Sequence, residues 1–103
     1  MSPREQLDVM ALALDAVADL LPGADVYTCM THDDRPRIHV RQLDALIAGL
    51  PRAPVRPLLV DVHLHRELDA HGVTWHDCRR LSDDEATRMR HEMRAALARG
   101  GVA

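Results

Sequence analysis

The chain has 103 residues, 13 basic against 16 acidic side chains, and 47% hydrophobic residues. This length suits one domain with its own core, and the apolar content excludes a wholly disordered chain. Every basic residue is arginine, which excludes sites built on lysine, such as a Walker-type phosphate loop or a Schiff base. The absence of lysine and phenylalanine is typical of a bacterial protein from a GC-rich genome.

The cysteine count and the hydropathy pattern indicate a cytoplasmic protein. Cys29 and Cys78 are too few for a disulfide framework, and the amino terminus does not resemble a signal peptide. We therefore expect reduced thiols. No stretch reaches the roughly 18 to 20 apolar residues that a membrane span requires, so no membrane association is predicted.

The amino-terminal segment predicts a helix over residues 3–21. Ser2 and Glu5 form a capping box, and Pro22-Gly23 ends the pattern. Apolar residues follow helical spacing at Leu7, Met10, Ala11, Leu14, Val17, Ala18 and Leu21. The far side is also largely apolar, which favours a helix shared with a second chain.

Alternation and turn residues predict four strands in two pairs. They lie at 24–31, 37–41, 58–64 and 73–79. A short helix at 43–50 stops at Pro51, and a proline-rich connector follows over 51–57. The segment 66–71 is open to two interpretations, a short helix or the arm of a hairpin whose turn is 69–72. We favour the hairpin.

A second capping box, Ser82 to Glu85, begins the last helix. Its predicted buried side chains are Ala86, Met89, Met93, Ala96 and Leu97. The predicted fold is a single α+β domain over residues 1–103, frayed at 100–103. Its order is αββαββα, with helices packed on a mostly antiparallel four-stranded sheet.

Histidines concentrate in the second strand pair. If Leu68 lies opposite Val73, then His65 faces His76 and His63 faces Cys78 on the same side of the sheet. Imidazole and thiolate are both ligands that zinc prefers. The low-specificity candidates for a metal site are therefore His63, His65, His76 and Cys78. A structural role for these histidines on a solvated face is the more frequent case. Cys29 is expected in the core.

The leading functional hypothesis is a protein-interaction module without catalytic residues or cofactor. It forms a homodimer through the helix at 3–21 or a sheet edge, and a protein partner is possible. The alternative is a zinc protein, a small metallohydrolase or sensor. A second alternative is duplex nucleic-acid binding through the arginine-rich stretch 35–56. Single-strand binding is disfavoured, because only Tyr27 and Trp75 could stack on bases. Duplex binding needs only charge, but it requires the acidic amino-terminal third of the chain to lie elsewhere.

Overall fold

The computed structural model describes residues 1–21 and 25–100, which form an α+β domain with three helices and five strands. The helices are α1 (Pro3–Ala16), α2 (Asp44–Gly49) and α3 (Asp83–Ala98). The strands are β1 (Val26–Met30), β2 (Arg37–Val40), β3 (Arg56–Val60), β4 (His63–Ala70) and β5 (Val73–Arg80). Within the described ranges, no helix is long and apolar enough to cross a membrane.

The five strands form one mixed sheet in the order β1-β2-β5-β4-β3. Three pairs of neighbouring strands are antiparallel: β1 with β2, β3 with β4, and β4 with β5. A parallel ladder between β2 and β5 joins these two units. The predicted four-stranded antiparallel sheet is therefore corrected to a five-stranded mixed sheet.

The additional strand arises because the predicted strand 58–64 is two strands. Asp61 adopts a left-handed backbone (φ 56°) and reverses the chain between β3 and β4. Part of the predicted connector, Arg56 and Pro57, belongs to β3. In the sequence, apolar residues alternate on both sides of Asp61 as they would in one continuous strand. In the structure, the turn at Asp61 reverses which of these side chains face the core.

The hairpin interpretation of 66–71 is confirmed, although the turn is shorter than predicted. Ala70 pairs with Val73, so only His71 and Gly72 form the turn, both with positive φ. This is the backbone that a two-residue type I′ turn requires. The register is shifted by two residues from the predicted one. Because side chains alternate with a period of two, this shift keeps each residue on its predicted face.

Both predicted capping boxes are present, at Ser2–Glu5 and at Ser82–Glu85. α1 ends at Ala16, earlier than predicted. A series of turns follows, in which the Ala18 N–H bonds to the Asp15 carbonyl and the Leu20 N–H to the Val17 carbonyl. The predicted stop at Pro22-Gly23 and the predicted strand start at Ala24 lie outside the described residues, as do residues 101–103 of the segment 100–103 that was predicted to fray.

The core lies between the helices and one face of the sheet. α1 and α2 cover its centre, where Trp75, Ile38 and Leu68 are fully buried. α3 covers a smaller cluster at Leu64, Leu81 and Ala86. Two predicted burials on α3 are wrong, because Ala96 and Leu97 are exposed where the helix extends beyond this cluster.

Candidate functional site

The other face of the sheet is not covered by any described element. Residues that alternate with the core side chains project from it. They include Arg37, His39, Arg56, Leu58, His63, His65, Glu67, Asp69, Thr74, His76 and Cys78. We call this surface the open face. It carries polar side chains in the middle and exposed apolar ones near the outer strands.

The four candidate metal ligands lie on the open face in a different pairing from the predicted one. Cys78 lies opposite His65, and the Cys78 Sγ is 3.8 Å from the His65 Nε2. His76 lies opposite Glu67, and His63 opposite Arg80. The predicted pairs His65–His76 and His63–Cys78 are wrong, because the two-residue turn replaces the predicted four-residue turn.

This register separates His76 from the contact between His65 and Cys78. The two histidines are diagonal neighbours, a relation that places Cα atoms about 7–8 Å apart. Across residues 1–21 and 25–100, no three His, Cys, Asp or Glu side chains are grouped so that they could hold a metal ion. The contact between His65 and Cys78 therefore provides two potential ligands.

His76 instead belongs to a row of rings. Its imidazole stacks on that of His39, with centroids 4.5 Å apart and planes 18° apart. Tyr27 packs against His39 in a T-shaped arrangement, with centroids 5.3 Å apart and planes 86° apart. Sequence reasoning missed this row because β2 and β5 are far apart in the chain and pair in parallel.

The His76 ring has an unusual electrostatic environment. Its Nδ1 is buried and has no hydrogen-bond partner in the described part of the chain. Burial lowers the pKa of His76, and the nearby His39 and Arg37 lower it further, whereas Glu67 and Asp77 act in the opposite direction. The neutral imidazole is therefore favoured at this position.

Beside the ring row, three arginines converge on two carboxylates. Arg37 pairs with Glu67 at 3.2 Å, and Arg35 pairs with Asp69 at 3.4 Å. Arg56 makes two hydrogen bonds to Asp69, at 2.8 and 3.1 Å, which lower the pKa of that carboxyl group. These pairs engage three of the five arginines in the basic stretch 35–56.

Arg41 in the same stretch is paired with Asp25 at 3.0 Å. Intramolecular ion pairs therefore involve four of the five arginines on which duplex binding would depend. A phosphate backbone would have to compete with these carboxylates for the same guanidinium groups.

On the helix side of the sheet, a buried ion pair fixes the start of α2. Arg66 donates to both carboxylate oxygens of Asp77, at 2.6 and 3.2 Å. Asp77 also accepts the Leu43 backbone N–H at 2.8 Å, at the amino end of α2. Arg66 and Asp77 lie opposite each other in the observed register. A two-residue turn assumed at His71-Gly72 would therefore have predicted this ion pair from the sequence.

β1 is an unusually apolar edge strand. It contains neither a charged residue nor a proline, and four of its five residues are exposed, including Tyr27 and Met30. Natural edge strands usually carry charges, prolines or bulges that prevent pairing with another chain. β1 has only an irregularity between Val26 and Thr28.

Cys29 projects from the helix side of β1 and is exposed. The prediction that it lies in the core is wrong, because the helical layer does not extend over the outer strand. Partial burial still raises the pKa of the Cys29 thiol. Neither Cys29 nor Cys78 forms a disulfide.

One flank of α1 also carries an exposed apolar side chain. Val9 lies close to Gly72 in the turn between β4 and β5. Helical geometry places Leu7 and Leu14 on the opposite flank of α1 from Val9. Leu7 is 56% exposed. Leu12, on the far side of the helix that the sequence shows to be apolar, is 70% exposed.

Comparison of the chain with protein-family models, with curated proteins and with solved structures finds no match.

Proposed function

We propose that the protein is a homodimeric interaction module without catalytic activity, assembled through β1 and the flank of α1 that carries Leu7. The observation that carries the proposal is the uncharged, exposed edge of β1, together with the exposed Leu7 side chain of α1. The two interfaces considered from the sequence, the first helix and a sheet edge, thereby become parts of one surface. We place this dimer in the cytoplasm, where the free thiols would stay reduced.

A two-fold axis perpendicular to the sheet would bring both parts of this surface, β1 and the flank of α1, against their copies in the second chain. Antiparallel pairing of β1 with its symmetry mate would supply the missing backbone partners on the outer edge. Such an axis keeps the helices of both copies on the same side of the extended sheet. The two α1 helices would then meet through the same flank.

The residue spacing on this flank suits a helix–helix contact. Its members within α1 are Leu7, Ala11 and Leu14. Their separations of four and three residues are those of a short interhelical seam. Ala11 between the leucines allows the two backbones to approach closely, and further burial of the leucines supplies the apolar area that the strand pairing lacks.

Sedimentation equilibrium tests the proposal. The wild-type protein is expected to sediment at twice the chain mass at micromolar concentration. Leu7→Glu should weaken the dimer at least tenfold, because two carboxylates would be buried near the axis. Leu12→Glu is the matched control, since Leu12 is more exposed and lies on another side of α1. A wild-type monomer, or equal effects of both substitutions, would contradict the proposal.

We propose zinc binding by a small sensor or metallohydrolase as the alternative function. It is supported by the 3.8 Å contact between His65 Nε2 and Cys78 Sγ on the open face. Two ligands are fewer than a structural zinc site uses, so His63 or a second chain would have to contribute. Elemental analysis of untagged protein should give about one zinc per chain, lost in His65→Ala and retained in the exposed control His91→Ala. Zinc-free protein that takes up none on addition would exclude this function.

A further inference from the structure

At the edge of the sheet opposite β1, the apolar side of α3 extends beyond the small core cluster on which the helix packs. Its first half packs Ala86 and Met89 against the small core cluster. Further along the same side, Met93 is half-buried and Leu97 is 61% exposed. The helix therefore presents apolar side chains with no described partner next to the outer strand β3.

A groove lies between this part of α3 and β3. Its volume is about 450 Å³, within the range of about 300–1,000 Å³ typical of ligand sites. The strand wall is Pro57, Leu58 and Leu59, and the helix wall contains Met93 and Leu97. The lining is mainly apolar.

The groove is also positively charged. Arg90 and Arg94 line it, and no acidic side chain does. Arg90 is held in place by a hydrogen bond of 2.8 Å from its guanidinium to the Asp61 carbonyl. Arg94 forms no ion pair in the described part of the chain. An occupant with apolar side chains and carboxylates would match both the lining and the charge.

The strand wall adds a backbone feature. β3 pairs only with β4, so its outer edge presents unpaired backbone groups along the groove. A groove between an edge strand and a helix suits an extended peptide, which adds a strand to the sheet and inserts alternate side chains. Pro57 lacks an N–H, so pairing would rest on the carbonyl groups and on the N–H groups of the residues after it.

We propose that this groove binds an extended acidic peptide segment of a partner protein, which adds to β3 as a sixth strand. Its apolar side chains contact Met93 and Leu97, and its carboxylates pair with Arg90 and Arg94. The groove and β1 lie at opposite edges of the sheet, so this site does not depend on the proposed dimer.

Fluorescence anisotropy with three labelled peptides of eight residues tests the proposal. The first alternates glutamate with valine, the second has lysine in place of glutamate, and the third has proline in place of valine. The glutamate peptide is expected to bind with a micromolar Kd. The lysine peptide should lose its charge partners, and the proline peptide its ability to pair with β3, so each should bind at least about tenfold more weakly.

Variants of α3 identify the site of binding. Arg94→Glu and Leu97→Asp should each weaken binding of the glutamate peptide about tenfold or more, without changing the circular dichroism spectrum. Arg88→Glu makes the same charge change on the far side of the helix and should leave the Kd unchanged. Equal effects of Arg94→Glu and Arg88→Glu would overturn the proposal, as would absence of saturable binding or equal affinity for the lysine peptide. A loss of the dimer in Leu97→Asp would assign the groove to a second copy of the chain and would also overturn it.

Discussion

Asp77 illustrates how a single charged side chain is accommodated in this core. It is 2% exposed, and its carboxylate accepts hydrogen bonds from Arg66 and from the Leu43 backbone. A buried charge is tolerated only when its partners are present. The pair connects β4, β5 and the amino end of α2, so its loss would affect three elements.

We expect Asp77→Ala to lower the free energy of unfolding by about 3 kcal/mol or more, because Arg66 would remain largely buried without its partner. Urea unfolding measures this change. Asp44→Ala is the matched control, since Asp44 is the second partner of Arg66 but is 64% exposed. That substitution should cost less than about 1 kcal/mol. Equal losses in the two variants would show that the buried Arg66–Asp77 pair contributes no more to the free energy of unfolding than the exposed Arg66–Asp44 pair.

The pH dependence of stability reports on His76. Its pKa in the folded protein lies below the ordinary value of 6.5, mainly because of burial. As the pH falls through about 6.5, the unfolded chain takes up a proton at this residue before the folded protein does. The free energy of unfolding should therefore decrease below that pH. His76→Gln should reduce this decrease, whereas His91→Gln on the exposed surface of α3 should not.

At the scale of elements, local sequence signals predicted the helix starts and the strand faces better than they predicted how the strands pair. The two capping boxes fixed the starts of α1 and α3 because both partners lie within four residues. The face of each candidate ligand followed from alternation alone. The split at Asp61 was not predicted, because a residue other than glycine in a left-handed conformation leaves no clear sequence signature. The parallel ladder was missed because it joins distant segments.

The turn between β4 and β5 can be tested by two substitutions with opposite effects. Gly72 has φ 79°, and an added Cβ would lie 3.0 Å from the Val9 Cγ1. Gly72→Ala should therefore cost about 1 kcal/mol or more. His71 has φ 54°, a backbone that asparagine tolerates better, so His71→Asn should stabilise by about 0.5 kcal/mol. Thermal unfolding measures both, and a stabilising Gly72→Ala would contradict the turn assignment.

The whole molecule presents two dissimilar edges and one open face. β1 carries no charged side chain, whereas β3 borders a groove with two arginines. We propose the first edge for self-association and the second for an acidic partner. The open face between them holds the ring row and the ion pairs, and both edges leave it accessible.

Dimerisation would make stability depend on protein concentration. For a dimer that unfolds to two chains, a tenfold increase in concentration should add about 1.4 kcal/mol to the apparent free energy of unfolding. Urea transitions at two concentrations measure this shift. Leu7→Glu should remove the dependence, and Leu12→Glu should retain it. A wild-type transition that does not move with concentration would indicate a folded monomer.

The parallel ladder also has a consequence for the order in which the chain is synthesised. Arg37 pairs with Thr74, so β2 leaves the ribosome 37 residues before its partner in β5 exists. Until then, Ile38 and Val40 lack Val73 and Trp75 of β5, which belong to the same core cluster. The carboxyl-terminal strands, by contrast, close through short turns as soon as they emerge. The sheet and core around β2 are therefore completed only when β5 has been synthesised. A truncated product that ends before β5 would expose both a strand edge and core side chains to other chains.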